Sequence, residues 1–189
     1  VLLTGDVDIV NGVVVEVEPG TIVRAIGSLT DPPVIRINSS TFRALGTEEE
    51  PILFTSEIDR GWGGLEFLGR PPIESTLEHC EIRRSPRGVR INDSSPRLSD
   101  VLIDRADLGA LIERTSRDTN PEFRSCIFWR CGKGVRITGG ALPDLGVVRA
   151  LEGLFDPGNN VFFATASRDI ELDAPSSYAP GSVDAQGNY

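Results

Sequence analysis

The chain has 189 residues, a formal net charge of −9 at pH 7, 39% hydrophobic residues and no methionine. This length is enough to bury a core within one domain, and no apolar run approaches the roughly 20 residues of a transmembrane helix. The charge is uneven, because residues 81–137 carry +4 whereas residues 1–80 and 138–189 carry −8 and −5. This distribution argues against general nucleic-acid binding and leaves room for a local anionic ligand.

The first part of the chain contains short apolar segments separated by turn residues, a pattern typical of short strands. We predict strands at Val13–Val17, Thr21–Arg24, Val34–Ile37, Thr41–Ala44, Ile52–Thr55 and Leu65–Phe67. Trp62 precedes the last of these strands, and we expect it to be a packing residue at a corner. No window has helical periodicity over as many as about ten residues.

The central part of the chain repeats one pattern three times without a gap, in copies that begin 21 and then 25 residues apart. The copies span Ser75–Ile91, Pro96–Ile112 and Pro121–Ile137. Equivalent positions are Leu77, Leu98 and Phe123; Cys80, Val101 and Cys126; Ile82, Ile103 and Phe128; Gly88, Gly109 and Gly134; Val89, Ala110 and Val135; and Ile91, Ile112 and Ile137. Strand-like alternation at this period predicts an all-β solenoid, a parallel β-helix of about seven coils.

Beyond Ile137 the repeat becomes less regular. The segment Leu142–Phe155 is a longer excursion, in which Val147–Leu154 is predicted to form a short helical turn. Further strands are predicted at Val161–Phe163 and Asp169–Leu172. We expect residues 1–189 to form a single β-helix domain and to be a fragment of a longer secreted protein.

The cysteine spacing indicates thiols rather than disulfides. Cys80 and Cys126 share a position two coils apart, about 10 Å at the usual inter-strand spacing, which is beyond disulfide reach. Cys131 could pair with Cys126 only around a tight corner. We therefore expect three reduced, buried cysteines. Because the only histidine is His79, no metal site is predicted.

Basic residues recur at two equivalent positions of the repeats. Arg84, Arg105 and Arg130 occupy one position, and Arg87 and Lys133 occupy the other. Guanidinium groups bind carboxylate or sulfate bidentately, so this edge is a candidate ligand-binding site for an acidic polysaccharide. The alternative is that these arginines are solvated or pair with the neighbouring acids Asp104, Asp107 or Glu81.

A second candidate surface is apolar. Leu102, Ile127 and Trp129 fall at outward positions of the first repeat strand, where polar residues are expected. An exposed aromatic residue beside aliphatic ones can mark a sugar-stacking platform or an interface with a protein. Alternatively, the excursion Leu142–Phe155 folds back over these side chains.

These features resemble the right-handed parallel β-helix superfamily with the pectate-lyase-like fold, and in particular secreted bacterial β-helix proteins of unassigned chemistry. The matching phrases cover nearly the whole chain: VEPGTIV, ALGTEEEPILFTS, GWGGLEF, STLEHCEI, the three repeats, DPGNNVF and AQGNY. The resemblance implies right-handed coils and a location outside the bacterial cytoplasm, secreted or at the cell surface. The fold hosts lyases, hydrolases, esterases, adhesins and structural modules, so it leaves the function open.

Catalytic motifs of the superfamily do not carry over. The Asn-Thr-Asp, Asp-Asp and Gly-His-Gly segments of polygalacturonase-like hydrolases are missing from the sequence. The acids nearest to a lyase calcium cluster, Asp100, Asp104 and Asp107, match no lyase motif. Asp100 and Asp104 could pair for acid–base work on a glycosidic bond, although surface acids are more often solvated or salt-bridged. No catalytic residue is assigned.

The sequence thus favours a non-catalytic, secreted or cell-surface module that binds a glycan or protein partner, or a structural spacer. It predicts no cofactor, no nucleic-acid partner and no membrane span. The alternative is a polysaccharide lyase or glycoside hydrolase acting on an acidic glycan, for which calcium would be the expected cofactor. The oligomeric state is not indicated.

Overall fold

The computed structural model describes residues 1–149, 154–156 and 158–173. These residues form short strands and no helix. The first three coils contain β1 (Leu2–Leu3), β2 (Val7–Ile9), β3 (Val14–Val17), β4 (Ile22–Ala25), β5 (Val34–Asn38), β6 (Thr41–Leu45), β7 (Ile52–Ser56), β8 (Gly64–Leu68) and β9 (Thr76–Glu78). The repeats contain β10 (Cys80–Arg83), β11 (Arg87–Asn92), β12 (Arg97–Ser99), β13 (Leu102–Asp104), β14 (Leu108–Glu113), β15 (Glu122–Arg124), β16 (Ile127–Trp129) and β17 (Lys133–Thr138). The remaining strands are β18 (Val147–Arg149), β19 (Leu154–Asp156), β20 (Val161–Phe163) and β21 (Arg168–Leu172).

Three parallel sheets form the walls of the solenoid. Sheet A has the order β1-β4-β7-β10-β13-β16-β20, and sheet B has the order β2-β5-β8-β11-β14-β17-β21. Sheet C contains β3, β6, β9, β12 and β15 in that order. The chain runs from sheet A to sheet B to sheet C in each of the first five coils. The described residues therefore form a parallel β-helix of seven coils, as predicted, and the arrangement is consistent with the right-handed form.

The three repeats stack in the predicted register. Leu77, Leu98 and Phe123 pair across sheet C, Ile82, Ile103 and Phe128 across sheet A, and Val89, Ala110 and Val135 across sheet B. These residues are buried in one continuous core. Aromatic rings extend the stacking, since Phe128 lies on Phe162 with ring centroids 4.8 Å apart. The sequence columns are thus physical columns of the core.

The other predicted strands are also confirmed, each to within one residue at either end. The prediction missed β1 and β2, whose two or three residues are too few to show periodicity. Trp62 is buried as expected. Its ring stacks on Phe54 with centroids 6.2 Å apart, and its Nε1 donates to the carbonyl oxygen of Arg83 at 2.7 Å.

The helical turn predicted at Val147–Leu154 is wrong. The strand β18 pairs antiparallel with β19, and Val147 lies opposite Asp156. Branching at Cβ stiffens valine and favours an extended backbone, which explains the strand at the start of this segment. Residues 150–153 of the predicted turn lie outside the described residues.

The beginning of the excursion lies beside sheet C. Asp144 forms a parallel bridge with Glu122, and the Asp144 carbonyl accepts from the Phe123 N–H at 2.9 Å. Residues 142–146 therefore add to the edge of sheet C and do not fold over the outer side of sheet A.

The three cysteines are free and buried, as predicted. Burial raises the pKa of Cys80 and of Cys126 to about 12 and the pKa of Cys131 to about 11. The thiols stay protonated at neutral pH and act as small core residues.

One repeated position, here named the glycine column, consists of Gly88, Gly109 and Gly134, whose backbone lies close to the next coil. A Cβ atom on Gly109 would lie 2.5 Å from Cδ1 of Phe128 and 2.6 Å from the carbonyl oxygen of Gly134. A Cβ atom on Gly88 would meet the carbonyl oxygen of Gly109 at 2.5 Å. The repeated glycine therefore keeps these positions clear of the carbonyl oxygen of the next coil.

One carboxylate holds the longer spacer between the second and third repeats. Asp93 accepts hydrogen bonds from the backbone N–H groups of Thr115, Ser116 and Arg117 at 2.9, 3.0 and 3.1 Å. It also accepts from the hydroxyls of Thr115 and Ser116 at 2.6 and 2.7 Å. Burial by itself would raise the pKa of Asp93, but these hydrogen bonds outweigh it and hold the pKa well below its usual range.

Replacing Gly109 by alanine should lower the free energy of unfolding by about 1–3 kcal/mol, because the new methyl group overlaps backbone and a core ring. Urea denaturation followed by circular dichroism measures the change. Gly5→Ala is the control, since a Cβ atom there has no neighbour within 4 Å. Equal stability of the two variants would contradict the close approach of the coils.

Replacing Asp93 by asparagine should destabilise the fold by about 1–2 kcal/mol at pH 7, because an amide offers one acceptor oxygen to five donors. The folded-state pKa lies below the unfolded value of about 3.9, so the stabilisation is complete above that pH and is lost as the pH falls through the folded-state pKa. The stability difference between wild type and variant should therefore shrink below about pH 4.

The matched control for Asp93 is Asp118→Asn on the same spacer, where the carboxylate pairs only with Arg114 at 3.1 Å and is 79% exposed. We expect this change to cost less than about 0.5 kcal/mol, as for other exposed ion pairs. A stability difference between wild type and D93N that does not vary with pH would show that the ionised carboxylate is not the stabilising group.

Candidate binding face on sheet A

The outward side chains of sheet A form two columns that run along the solenoid. Core residues such as Ile82 and Ile103 point inward, so the residues on either side of them point outward. The first column is Ile22, Leu53, Glu81, Leu102, Ile127 and Val161. The second column is Arg24, Thr55, Arg83, Asp104, Trp129 and Phe163. Basic residues lie towards one end of this face and aromatic residues towards the other.

A concavity of about 400 Å³, here named the basic groove, lies at the basic end of this face. Its lining residues are Arg24, Leu53, Thr55, Ser56, Glu57, Arg83, Arg84 and Arg105. Arg84 and Arg105 come from the corner between sheets A and B, where both adopt positive φ angles of 62° and 56°. The corner thus turns these two side chains back towards sheet A, beside Arg24 and Arg83.

Two acids around the basic groove, Glu57 and Asp59, are exposed and lie at long distances, whereas Glu81 lies 2.7 Å from Arg83. Glu57 is 3.6 Å from Arg24, while Asp59 is 3.5 Å from Arg84 and 3.8 Å from Arg105. The two carboxylates are 65% and 66% exposed. Exposed ion pairs contribute about 0–1 kcal/mol, so an incoming anion can replace these partners at small cost.

Arg130, unlike Arg84, forms a close ion pair with a buried carboxylate. Its Nε and Nη2 atoms donate to Oδ1 and Oδ2 of Asp104 at 3.0 and 2.8 Å, a bidentate pair. The Asp104 side chain is only 4% exposed, and Arg105 Nε lies 3.4 Å from its Oδ2 atom. Breaking this buried pair would leave an uncompensated carboxylate, so Arg130 is a structural clamp between coils.

Arg87 and Lys133 lie on the outer side of sheet B rather than on sheet A. Lys133 Nζ donates to Glu171 at 2.6 Å, and Arg87 lies 3.9 Å from Glu66. The two predicted basic positions therefore lie on different sides of the A–B corner, and only Arg84 and Arg105 of the five predicted basic residues line the basic groove.

The aromatic end of the face forms an apolar patch, composed of Leu102, Ile127, Trp129, Val161 and Phe163. Trp129 and Phe163 are 38% and 53% exposed. Their rings stack with centroids 4.5 Å apart and an interplanar angle of 24°. This pair is the largest group of exposed aromatic surface among the described residues.

Comparison with known proteins addresses the family of the chain. A family model described as the pectate-lyase-like β-helix domain matches residues 2–135. The chain belongs to this β-helix family. Comparisons with curated proteins and with solved structures return no significant match.

The sequence leaves open a carboxylate pair of Asp100 and Asp104, although it favours solvated or salt-bridged acids. In this family member, Asp100 is exposed before β13, with a positive φ of 54°, whereas Asp104 ends β13 beneath two guanidinium groups. The two carboxylates therefore lie at opposite ends of one strand. The described residues contain no group of three or more His, Cys, Asp or Glu side chains placed to hold a metal ion.

Sequence reasoning did not bring Arg24, Val161 and Phe163 to this face of the β-helix. The segment VFF at Val161–Phe163 has the pattern of IFW at Ile127–Trp129, so alignment of these two strands would have found Phe163. Arg24 is separated from the repeats by coils of irregular length, and no sequence signal placed it beside Arg84. Among the described residues, no helix is long and apolar enough to cross a membrane.

Proposed function

We propose that this chain is a non-catalytic β-helix module of a secreted or cell-surface protein, and that it binds an extended acidic glycan along the outer face of sheet A. The observation that supports this proposal is the order of residues in one outward column, from Arg24 through Arg83 to Trp129 and Phe163. Arginine binds carboxylate or sulfate groups, and aromatic rings pack against the apolar faces of sugars.

The dimensions of the face suit a polymer. Arg24 and Phe163 are five coil intervals apart in the column, which corresponds to about 24 Å at 4.8 Å per interval. A chain of several sugar units spans that length. Anionic groups of such a ligand would replace Glu57 and Asp59 at Arg24, Arg84 and Arg105, while the apolar patch would contact sugar rings.

A protein partner is the second candidate. Trp129 and Phe163 stack on each other, so one face of each ring is covered by its neighbour. A ligand can contact only the ring edges and the remaining faces. Aromatic residues with aliphatic neighbours and an arginine beside them are also the composition of protein interface centres. This candidate uses the apolar patch but does not require the basic groove.

The enzymatic alternative is a polysaccharide lyase or glycoside hydrolase on the same acidic glycan, with calcium for the lyase. It would need a carboxylate or an arginine acting on the sugar within the basic groove. Glu57 lines the basic groove and Asp59 lies 3.5 Å from Arg84, and both carboxylates are exposed.

Binding should be measured by calorimetry against polyuronates, sulfated polysaccharides and neutral dextran, with and without calcium. We expect acidic chains to bind and dextran not to bind. Arg84→Gln combined with Arg105→Gln should weaken binding at least about tenfold, because each removes a charge-assisted hydrogen bond. Trp129→Ala should weaken it by about tenfold through lost ring contact.

The matched control is Arg43→Gln combined with Arg97→Gln, which removes the same charge from sheet C, where these arginines pair with Glu16 and Glu122. Equal losses in both double variants would indicate attraction by overall charge and would contradict a site on sheet A. Loss of polysaccharide chain length or appearance of unsaturated product would establish the enzymatic alternative. Absence of binding to every glycan would leave the protein partner as the supported candidate.

A further inference from the structure

A further concavity lies away from sheet A, at the corner between sheets B and C. It has a volume of about 710 Å³ and is here named the corner groove. Its lining residues are Arg70, Pro71, Pro72, Glu74, Asp93, Ser94, Ser95, Arg117 and Asp118. Three successive spacers form it: the segments that follow β8, β11 and β14. The volume is within the range of small-ligand sites.

The acids of the corner groove already have partners. Glu74 lies 3.9 Å from Arg97, and Asp118 lies 3.1 Å from Arg114, neither of which lines the groove. Asp93 is occupied by the five hydrogen bonds from the spacer that it holds. Glu74 and Asp118 are therefore paired with arginines outside the groove, and the oxygens of Asp93 are engaged by the spacer.

Its two arginines do not have such partners. The guanidinium groups of Arg70 and Arg117 form no hydrogen bond or ion pair with any described residue, and both side chains are exposed. This distinguishes them from Arg84, Arg105 and Arg130, which all face carboxylates. The corner groove therefore presents two guanidinium groups that have no carboxylate partner among the described residues.

The position of Arg117 is fixed by its own backbone. Its N–H donates to Asp93 at 3.1 Å, and its carbonyl accepts from the buried Thr119 hydroxyl at 3.1 Å. Arg117 also lines a second concavity of about 410 Å³ beside the first, together with Arg90 and Asn92. The side chain thus projects from an anchored backbone into the space between two depressions.

We propose that the corner groove is a second binding site, separate from sheet A, for a polar ligand that carries an oxyanion group such as carboxylate, sulfate or phosphate. Arg70 and Arg117 bind the oxyanion, since a guanidinium donates two parallel hydrogen bonds to such groups. Ser94 and Ser95 line the same groove and offer hydroxyls to the polar part of the ligand. Asp93 is a positioning residue, which holds the spacer that presents Arg117.

The test is a titration of ¹⁵N-labelled protein with sodium sulfate, inorganic phosphate or sodium glucuronate, at constant ionic strength balanced with chloride. We expect saturable shifts at the backbone amides of residues 94–95 and 115–117 and at the Nε resonances of Arg70 and Arg117. Comparison of the three anions identifies the preferred oxyanion. Arg70→Gln and Arg117→Gln should each weaken binding about tenfold or more.

The matched control is Arg60→Gln, which removes one exposed arginine that pairs with Asp107 at the A–B corner. It should leave the affinity within about twofold of wild type, as should the Arg84→Gln, Arg105→Gln double variant. The spectra of each variant show directly whether it is folded. Shifts that rise linearly without saturation, or equal losses in R60Q and R117Q, would overturn the proposal. So would saturable shifts confined to the sheet A face.

Discussion

The stacking of each coil on its predecessor in one register is the constraint on which the rest of the structure depends. Because Ile82, Ile103 and Phe128 must lie above one another, every other residue of those strands is also placed in a column. At Gly88 and Gly109 a Cβ atom would meet a carbonyl oxygen of the next coil, and the buried Cys126 thiol donates to the carbonyl oxygens of Leu98 and Arg124. Burial and register together account for the regularity of the repeats.

The register that stacks the core residues also stacks the outward-facing residues into columns. Where the repeats carry the same charge at one position, as at Arg84 and Arg105, the inter-strand spacing brings like charges close together, and acids nearby compensate them. The chain compensates them unequally. Asp104 is buried under Arg130 and Arg105, whereas Asp59 is exposed and lies at longer distances from Arg84 and Arg105. Arg130 is tightly compensated and connects two coils, whereas Arg84 faces the exposed Asp59 and remains suited to a ligand. Arg105 lies between Asp104 and Asp59.

Most of the fold could be predicted from the sequence because it follows from local repetition. The columns that begin at Leu77, Cys80 and Gly88 needed only an alignment of the chain with itself. The site was less predictable for two physical reasons. Contacts such as Arg24 with the basic groove depend on spacers whose lengths vary, and the ion pairs that separate Arg130 from Arg84 depend on rotamers and burial. The buried Asn160, which accepts from the Cys126 N–H at 2.9 Å, takes the cysteine position in the next coil and was likewise not apparent from composition.

The most direct test of the proposed binding face uses the two tryptophans. Trp62 is buried in the core, whereas Trp129 lies in the apolar patch, so only Trp129 can be shielded from a neutral quencher by a ligand. Acrylamide quenching of tryptophan fluorescence should be measured while an acidic oligosaccharide is added to wild type and to Trp129→Phe. If an acidic glycan binds on sheet A, it should protect tryptophan fluorescence from acrylamide in a saturable way in wild type and give no protection in the variant. Calorimetric binding without any protection in wild type would contradict the account.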